Sequence, residues 1–240
     1  MNTYAKLYTE SLYPLQDGVI KIIRSLPTPF YLTGGTALGR GYYNHRYSDV
    51  LDLFVNDDPD FIQYVSKFLS ELRPNFTITT EVEAHDYLQI HAHQGSISLK
   101  IDLVNDVAVH YGEFIEHPLL GKIDSIINIL SNKITASYRY EPKDVVDIRE
   151  ICRNFQFTWS DIIQLAKNKE AGVAPPLLSD IIGSIPIEFL SQIKWAFEVD
   201  YDLIKRDLQQ IAFDILRGEE NTLYRDGVGR TGTENTEKKI

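Results

Sequence analysis

The sequence predicts an α/β domain followed by a helical domain, and three observations carry that expectation. Short β-like apolar runs alternate with helix-period segments up to Val104, whereas after Leu120 nearly every apolar segment has helical period. The segment after Gly218 is polar and offers almost nothing to bury. The expected boundaries are 1–120 for the α/β domain, 121–217 for the helical domain and 218–240 for a disordered tail.

Each element has a local reason. Leu7, Leu12, Leu15, Val19, Ile22, Ile23 and Leu26 recur at helical spacing between Tyr4 and Leu26, and Pro27 stops the run. Phe30 to Leu32 reads as a strand, Thr36 to Tyr43 as a helix and Val50 to Val55 as a second strand. Pro59 opens a helix whose stripe is Phe61, Tyr64, Val65, Phe68, Leu69 and Leu72. Strands are expected over Phe76–Val82, Tyr87–Ala92 and Ser96–Val104, with a hairpin turn at Gln94-Gly95. Helical period then marks Asp124–Tyr138, Lys143–Phe155, Ser160–Asn168, Ile187–Phe197 and Asp200–Arg217.

Composition removes several classes of function. A formal charge of −10 argues against a general nucleic-acid coat, which needs a basic surface, and leaves room for a local basic cleft. The single cysteine, Cys152, rules out an intramolecular disulfide and suits a reducing cytoplasm. No signal peptide is read at the N-terminus, and no apolar run reaches the roughly 18 residues of a membrane span. A cytoplasmic protein with no membrane partner is expected.

Residues 30–55, FYLTGGTALGRGYYNHRYSDVLDLFV, carry the chemistry. Gly34-Gly35-Thr36 follows a strand and opens a helix, an arrangement that lets backbone amides approach phosphates; a plain turn is the competing reading. Asp52 on the next strand and Asp102 in SLKIDLV are carboxylates inside apolar runs. Such a pair is costly unless compensated, and two carboxylates can hold a divalent metal against phosphates. Solvent exposure or pairing with a basic residue is the alternative for each. Arg46 has two readings, a phosphate contact or a surface pair with Asp49.

The run GGTAL, then HRYS-x-x-x-D, KIDLV and NKITASYRYEPKDVVDI, resembles the AbiEii/AbiGii-type toxin family of the DNA polymerase β-like nucleotidyltransferase superfamily over roughly residues 28–155. The resemblance implies a nucleotidyltransferase domain with a mixed sheet, and Mg²⁺-dependent transfer of a nucleoside monophosphate from an NTP. It also implies tRNA as a candidate acceptor and an antitoxin protein as a candidate partner. By position it assigns Gly34, Gly35, Thr36 and Ser48 to nucleotide binding, and Asp52 and Asp102 to the metal. Lys133 is assigned to the triphosphate and Asp144 to catalysis, while Lys133 as an exposed helix lysine and Asp144 as a helix-start carboxylate stay open.

The family pattern breaks at one position. Residues two apart on a strand share a face, so the same-face companion of Asp52 is Val50, where the family carries its first metal-binding aspartate. Asp49 falls on the opposite face. Impaired catalysis is therefore expected, and two alternatives stand beside the leading reading. One is a catalytically degenerate relative that binds nucleotide or a partner; the other is a small-molecule nucleotidyltransferase of the aminoglycoside-modifying sort. His91 and His93 read as a solvent-face pair rather than a metal pair. His45, Tyr42, Tyr43 and Tyr47 stand near the site as base contacts or as core.

Overall fold

The computed structural model describes residues 3–224. The seven strands are β1 (Tyr31–Thr33), β2 (Val50–Asn56), β3 (Thr77–Ala84), β4 (Tyr87–Gln94), β5 (Ile97–Asp106), β6 (Ile115–His117) and β7 (Gly121–Ile123). They form one mixed sheet in the order β3-β4-β5-β2-β1-β7-β6. β2 runs parallel to β5 and β1 parallel to β7, and the other neighbours are antiparallel.

Alternation explains the central strands. Leu51, Leu53 and Val55 of β2 and Leu99, Ile101 and Leu103 of β5 are buried on one face. The opposite face carries Val50, Asp52 and Phe54 beside Lys100, Asp102 and Val104, set side by side by the parallel register. The buried face shares one apolar cluster with Leu15, Val19 and Ile23 of α2 (Tyr13–Ser25) and Phe61, Phe68 and Leu72 of α4 (Phe61–Leu72).

The N-terminal helix comes in pieces: α1 (Thr3–Leu7), a π-helical turn over Tyr8–Leu12, and α2. Pro14 in the first turn of α2 lacks an N–H and crowds the carbonyl four residues back, which widens the ladder just before it. The glycine turn opens α3 (Gly34–Thr36), continued by a π-helical segment to Tyr42.

Beyond the sheet lie α5 (Ile126–Ala136), α6 (Pro142–Asn154), α7 (Trp159–Lys169), α8 (Pro175–Ser184), α9 (Ile187–Leu190) and α10 (Tyr201–Arg217). α5 packs against α6 and α7, α10 packs against α8, and α3 touches α5 and α6, so the glycine turn is wedged between sheet and helices.

The structure corrects several expected elements. The helix expected over Ile187–Phe197 stops at Leu190 because the following chain pairs with the segment after α3. The Tyr47 amide donates to the Lys194 carbonyl at 2.8 Å, and the Ala196 amide to His45 at 3.1 Å. β6, β7 and α8 have no counterpart among the expected elements; β7 extends the sheet to Ile123. At the C-terminal end, Asn221 is buried and donates through Nδ2 to the Cys152 carbonyl at 2.6 Å. Residues 225–240 of the expected tail lie outside the described residues.

Candidate active site

Asp52 and Asp102 are register neighbours on β2 and β5. Both line a cavity of 610 Å³ together with Gly34, Phe54, Tyr87 and Lys133, a volume suited to a nucleotide-sized ligand. β4 holds Asp102 in place: Tyr87 donates its hydroxyl to Oδ1 at 3.1 Å, and Gln89 its amide at 2.9 Å. Lys100 stands 3.2 Å from Oδ2. Burial, then the neighbouring Asp102 charge, push the Asp52 carboxyl up to about 6.

The glycine turn requires glycine. Gly34 has φ +67°, and a Cβ there would lie 2.3 Å from Asp52 Oδ2; a Cβ on Gly35 would lie 2.5 Å from Arg46 Nη2. The backbone therefore approaches the first carboxylate as closely as sterics permit. The opening amides of α3 have no acceptor within the helix.

Behind the turn lies a buried ionic network. Lys133 Nζ is 2.6 Å from Asp144 and 2.8 Å from Asp147. Arg46 grips Asp147 with two bonds of 2.7 and 2.6 Å, and His45 Nε2 sits 2.8 Å from the same carboxylate. Burial alone disfavours ionised Asp147, but Arg46 and Lys133 outweigh it and hold the carboxyl well below the usual range. For Lys133 the sign is mirrored: burial opposes the ammonium, and Asp147 and Asp144 hold it charged, with its pKa raised.

The structure brings Gly34, Asp52, Asp102 and Lys133 to one cavity, and Asp144 reaches it through its bond to Lys133. Neither Lys133 nor Asp144 is exposed, so the surface-lysine reading of Lys133 falls. Ser48 abuts the turn, with its hydroxyl 3.1 Å from the position of a Gly35 Cβ. Thr36 is buried and spends its hydroxyl on the Val50 carbonyl. Arg46 does not pair with Asp49. That carboxylate lies on the far side, bound by Tyr8 and by Lys194 at 2.5 Å. Val50 shares the face of Asp52 and stands in register with Lys100. Tyr47 stacks on Tyr8 and Tyr42 donates to the Asp124 carbonyl, so both serve packing. His91 pairs with Glu81 at 2.8 Å and His93 with Thr79 at 2.9 Å.

Several site residues lie outside the motifs read from the sequence. Asp124, fully buried, accepts from Thr33 at 2.6 Å and from Asn128 at 2.9 Å, and so ties the strand before the glycine turn to α5. Tyr87 and Gln89 were within reach of strand alternation once Gln89 was placed opposite Asp102. Lys169 and Asn132 enter the cavity from helices whose packing no local pattern discloses.

Among the described residues no group of three or more His, Cys, Asp or Glu side chains forms a metal cage. The two side-by-side carboxylates, one with a raised pKa, are nevertheless a donor set of the kind that holds a hard divalent cation jointly with substrate phosphates.

The family model described as "Nucleotidyl transferase AbiEii toxin, Type IV TA system" matches residues 23–220. The chain belongs to the AbiEii nucleotidyltransferase toxin family. The AbiEii match spans the sheet, the ionic network and the helices through α10, well beyond the motif-bearing segment. Among solved structures, the chain is similar to JHP933 from Helicobacter pylori, with 18% identity, TM-score 0.61, and coverage of 87% of this chain and 91% of that one. It is also similar to MenT4, a nucleotidyltransferase toxin from Mycobacterium tuberculosis, with 12% identity, TM-score 0.58, and coverage of 88% and 85%. At these identities the likeness supports the mixed α/β nucleotidyltransferase-like fold. No curated protein matches significantly. Among the described residues no helix is long and apolar enough to cross a membrane.

Proposed function

We propose that this AbiEii-family nucleotidyltransferase moves a nucleoside monophosphate from an NTP to an RNA acceptor of the tRNA type, in the cytoplasm and under the restraint of an antitoxin. The observation that carries the reading is the Asp52–Asp102 pair facing the Gly34 turn in one nucleotide-sized cavity with Lys133. The amides opening α3, with Ser48 beside them, bind the phosphates. Asp52 and Asp102 would hold Mg²⁺, which when bound supplies charge neutralisation at the phosphate under attack. Asp102, fixed by Tyr87 and Gln89, orients the acceptor hydroxyl and takes its proton as the acceptor oxygen bonds the α-phosphorus and pyrophosphate leaves. Lys133, locked by Asp144 and Asp147, presents a fixed cation to the triphosphate, and Asp144 acts by positioning it.

Val50 favours a second reading, a relative that binds nucleotide and turns it over poorly or not at all. It places an apolar side chain beside Lys100 on the face where a further carboxylate would strengthen the cation site. Incubation with labelled NTPs, Mg²⁺ and total RNA tests the proposal. Label entering RNA, and lost in Asp52→Asn, is the expected result. Label entering an added aminoglycoside but not RNA would reassign the acceptor.

A further inference from the structure

Lys169, at the end of α7, lines the cavity on its helical side. Its ammonium donates to Asn128 Oδ1 and Asn132 Oδ1, each at 2.6 Å, and lies 5.4 Å from the centre of the Tyr111 ring. The other cations lining the cavity, Lys133 and Arg139, each have a carboxylate within 3.4 Å. Among the described residues Lys169 has none within 4.0 Å. An ammonium has three N–H donors, and two neutral amide oxygens leave one donor unspent and no carboxylate in contact with the charge.

A second donor stands beside it. Asn132 also lines the cavity, and its Nδ2 is buried with no hydrogen-bond partner. The Lys169 ammonium fixes the orientation of that amide, because only the carbonyl oxygen can accept from it. Two unspent donors and one unpaired positive charge call for a ligand that only accepts and is anionic.

We propose that Lys169, supported by Asn132, is a phosphate-binding residue of this cavity, taking a phosphate of the NTP tail or of the acceptor backbone. The inference rests on the reading of the cavity as a nucleotide site and adds a contact outside the motif-bearing segment. Burial lowers the Lys169 pKa to about 8, against the opposing pull of Asp106 on β5 and of buried Asp124 before α5. His110 is bonded to Asp124, Glu170 follows on the same helix, and Lys133 and Arg139 face the same space. Phosphate binding needs the ammonium, so affinity falls as pH rises through about 8.

The test is a titration of the full chain, Lys169→Met and Lys169→Arg with an NTP plus Mg²⁺, a short RNA oligonucleotide and a phosphate-free nucleoside, between pH 7 and 9. Lys169→Met should weaken the phosphate-bearing ligand by about tenfold or more and leave the nucleoside unchanged. Lys169→Arg should keep the affinity and lose its decline above pH 8. A loss confined to the NTP assigns the donor tail; a loss confined to the oligonucleotide assigns the acceptor backbone. Equal binding by the parent chain and Lys169→Met, with parallel pH profiles, overturns this inference alone. Failure of the parent chain to bind any of the ligands overturns the nucleotide-site reading with it.

Discussion

Asp52 is held where burial and the Asp102 charge both oppose its ionisation, a cost that the proposed cation would relieve. The linkage has a definite sign. The folded-state pKa of about 6 lies above the ordinary carboxylate value, so the stabilising contribution is full below pH 4 and is lost as pH rises through about 6. Asp52→Asn should therefore raise stability at pH 7 without Mg²⁺, by of order 1–3 kcal/mol, with the gain vanishing near pH 4. Thermal unfolding across that range reads this, and the same variant should lose transfer. A lower melting temperature at pH 7 would contradict the electrostatic account. At this scale Gly34, Asp52 and Asp102 were legible because each is anomalous for its place: a glycine turn after a strand, and carboxylates within apolar runs. Asp124 was not, because an aspartate before a helix is ordinary until Thr33 and Asn128 converge on it.

At the scale of elements, α6 supplies Asp144 and Asp147 one helical turn apart, so both reach Lys133 on α5 and one also reaches Arg46. Asp147→Ala leaves Arg46 as a buried cation without its carboxylate and Lys133 with Asp144 alone. It should cost about 3–5 kcal/mol, visible as a large drop in denaturation midpoint. A loss below about 1 kcal/mol would show that water repairs the network. The spacing of Asp144 and Asp147 was visible in the sequence; that the pair faces the glycine turn was not, because it depends on how α6 docks. The shortened α9 makes the same point. Its apolar period continues to Phe197, but backbone pairing of residues 194–196 with 45–47 outweighs propensity.

Across the whole molecule, one cavity is lined by β1, β2, β4, β5, α5 and α7, so a nucleotide bound there as proposed would contact sheet and helices together. NTP with Mg²⁺ at about 100 times its Kd should add about 2.7 kcal/mol of stability, several degrees of melting temperature for a chain of this size. NTP without the cation should give less. The alternation of strands and helices made the α/β half readable, whereas β6 and β7, three residues each, were too short to carry a period. In the proposed function the cavity is a nucleotidyltransferase site held back by one missing carboxylate, at Val50. Transfer of label from NTP to RNA by the parent chain and by Val50→Asp, compared side by side, tests it most directly. Faster transfer by Val50→Asp, by at least about 10²-fold, is the expected result; equal rates in the two proteins would overturn the reading of Val50 as the missing carboxylate.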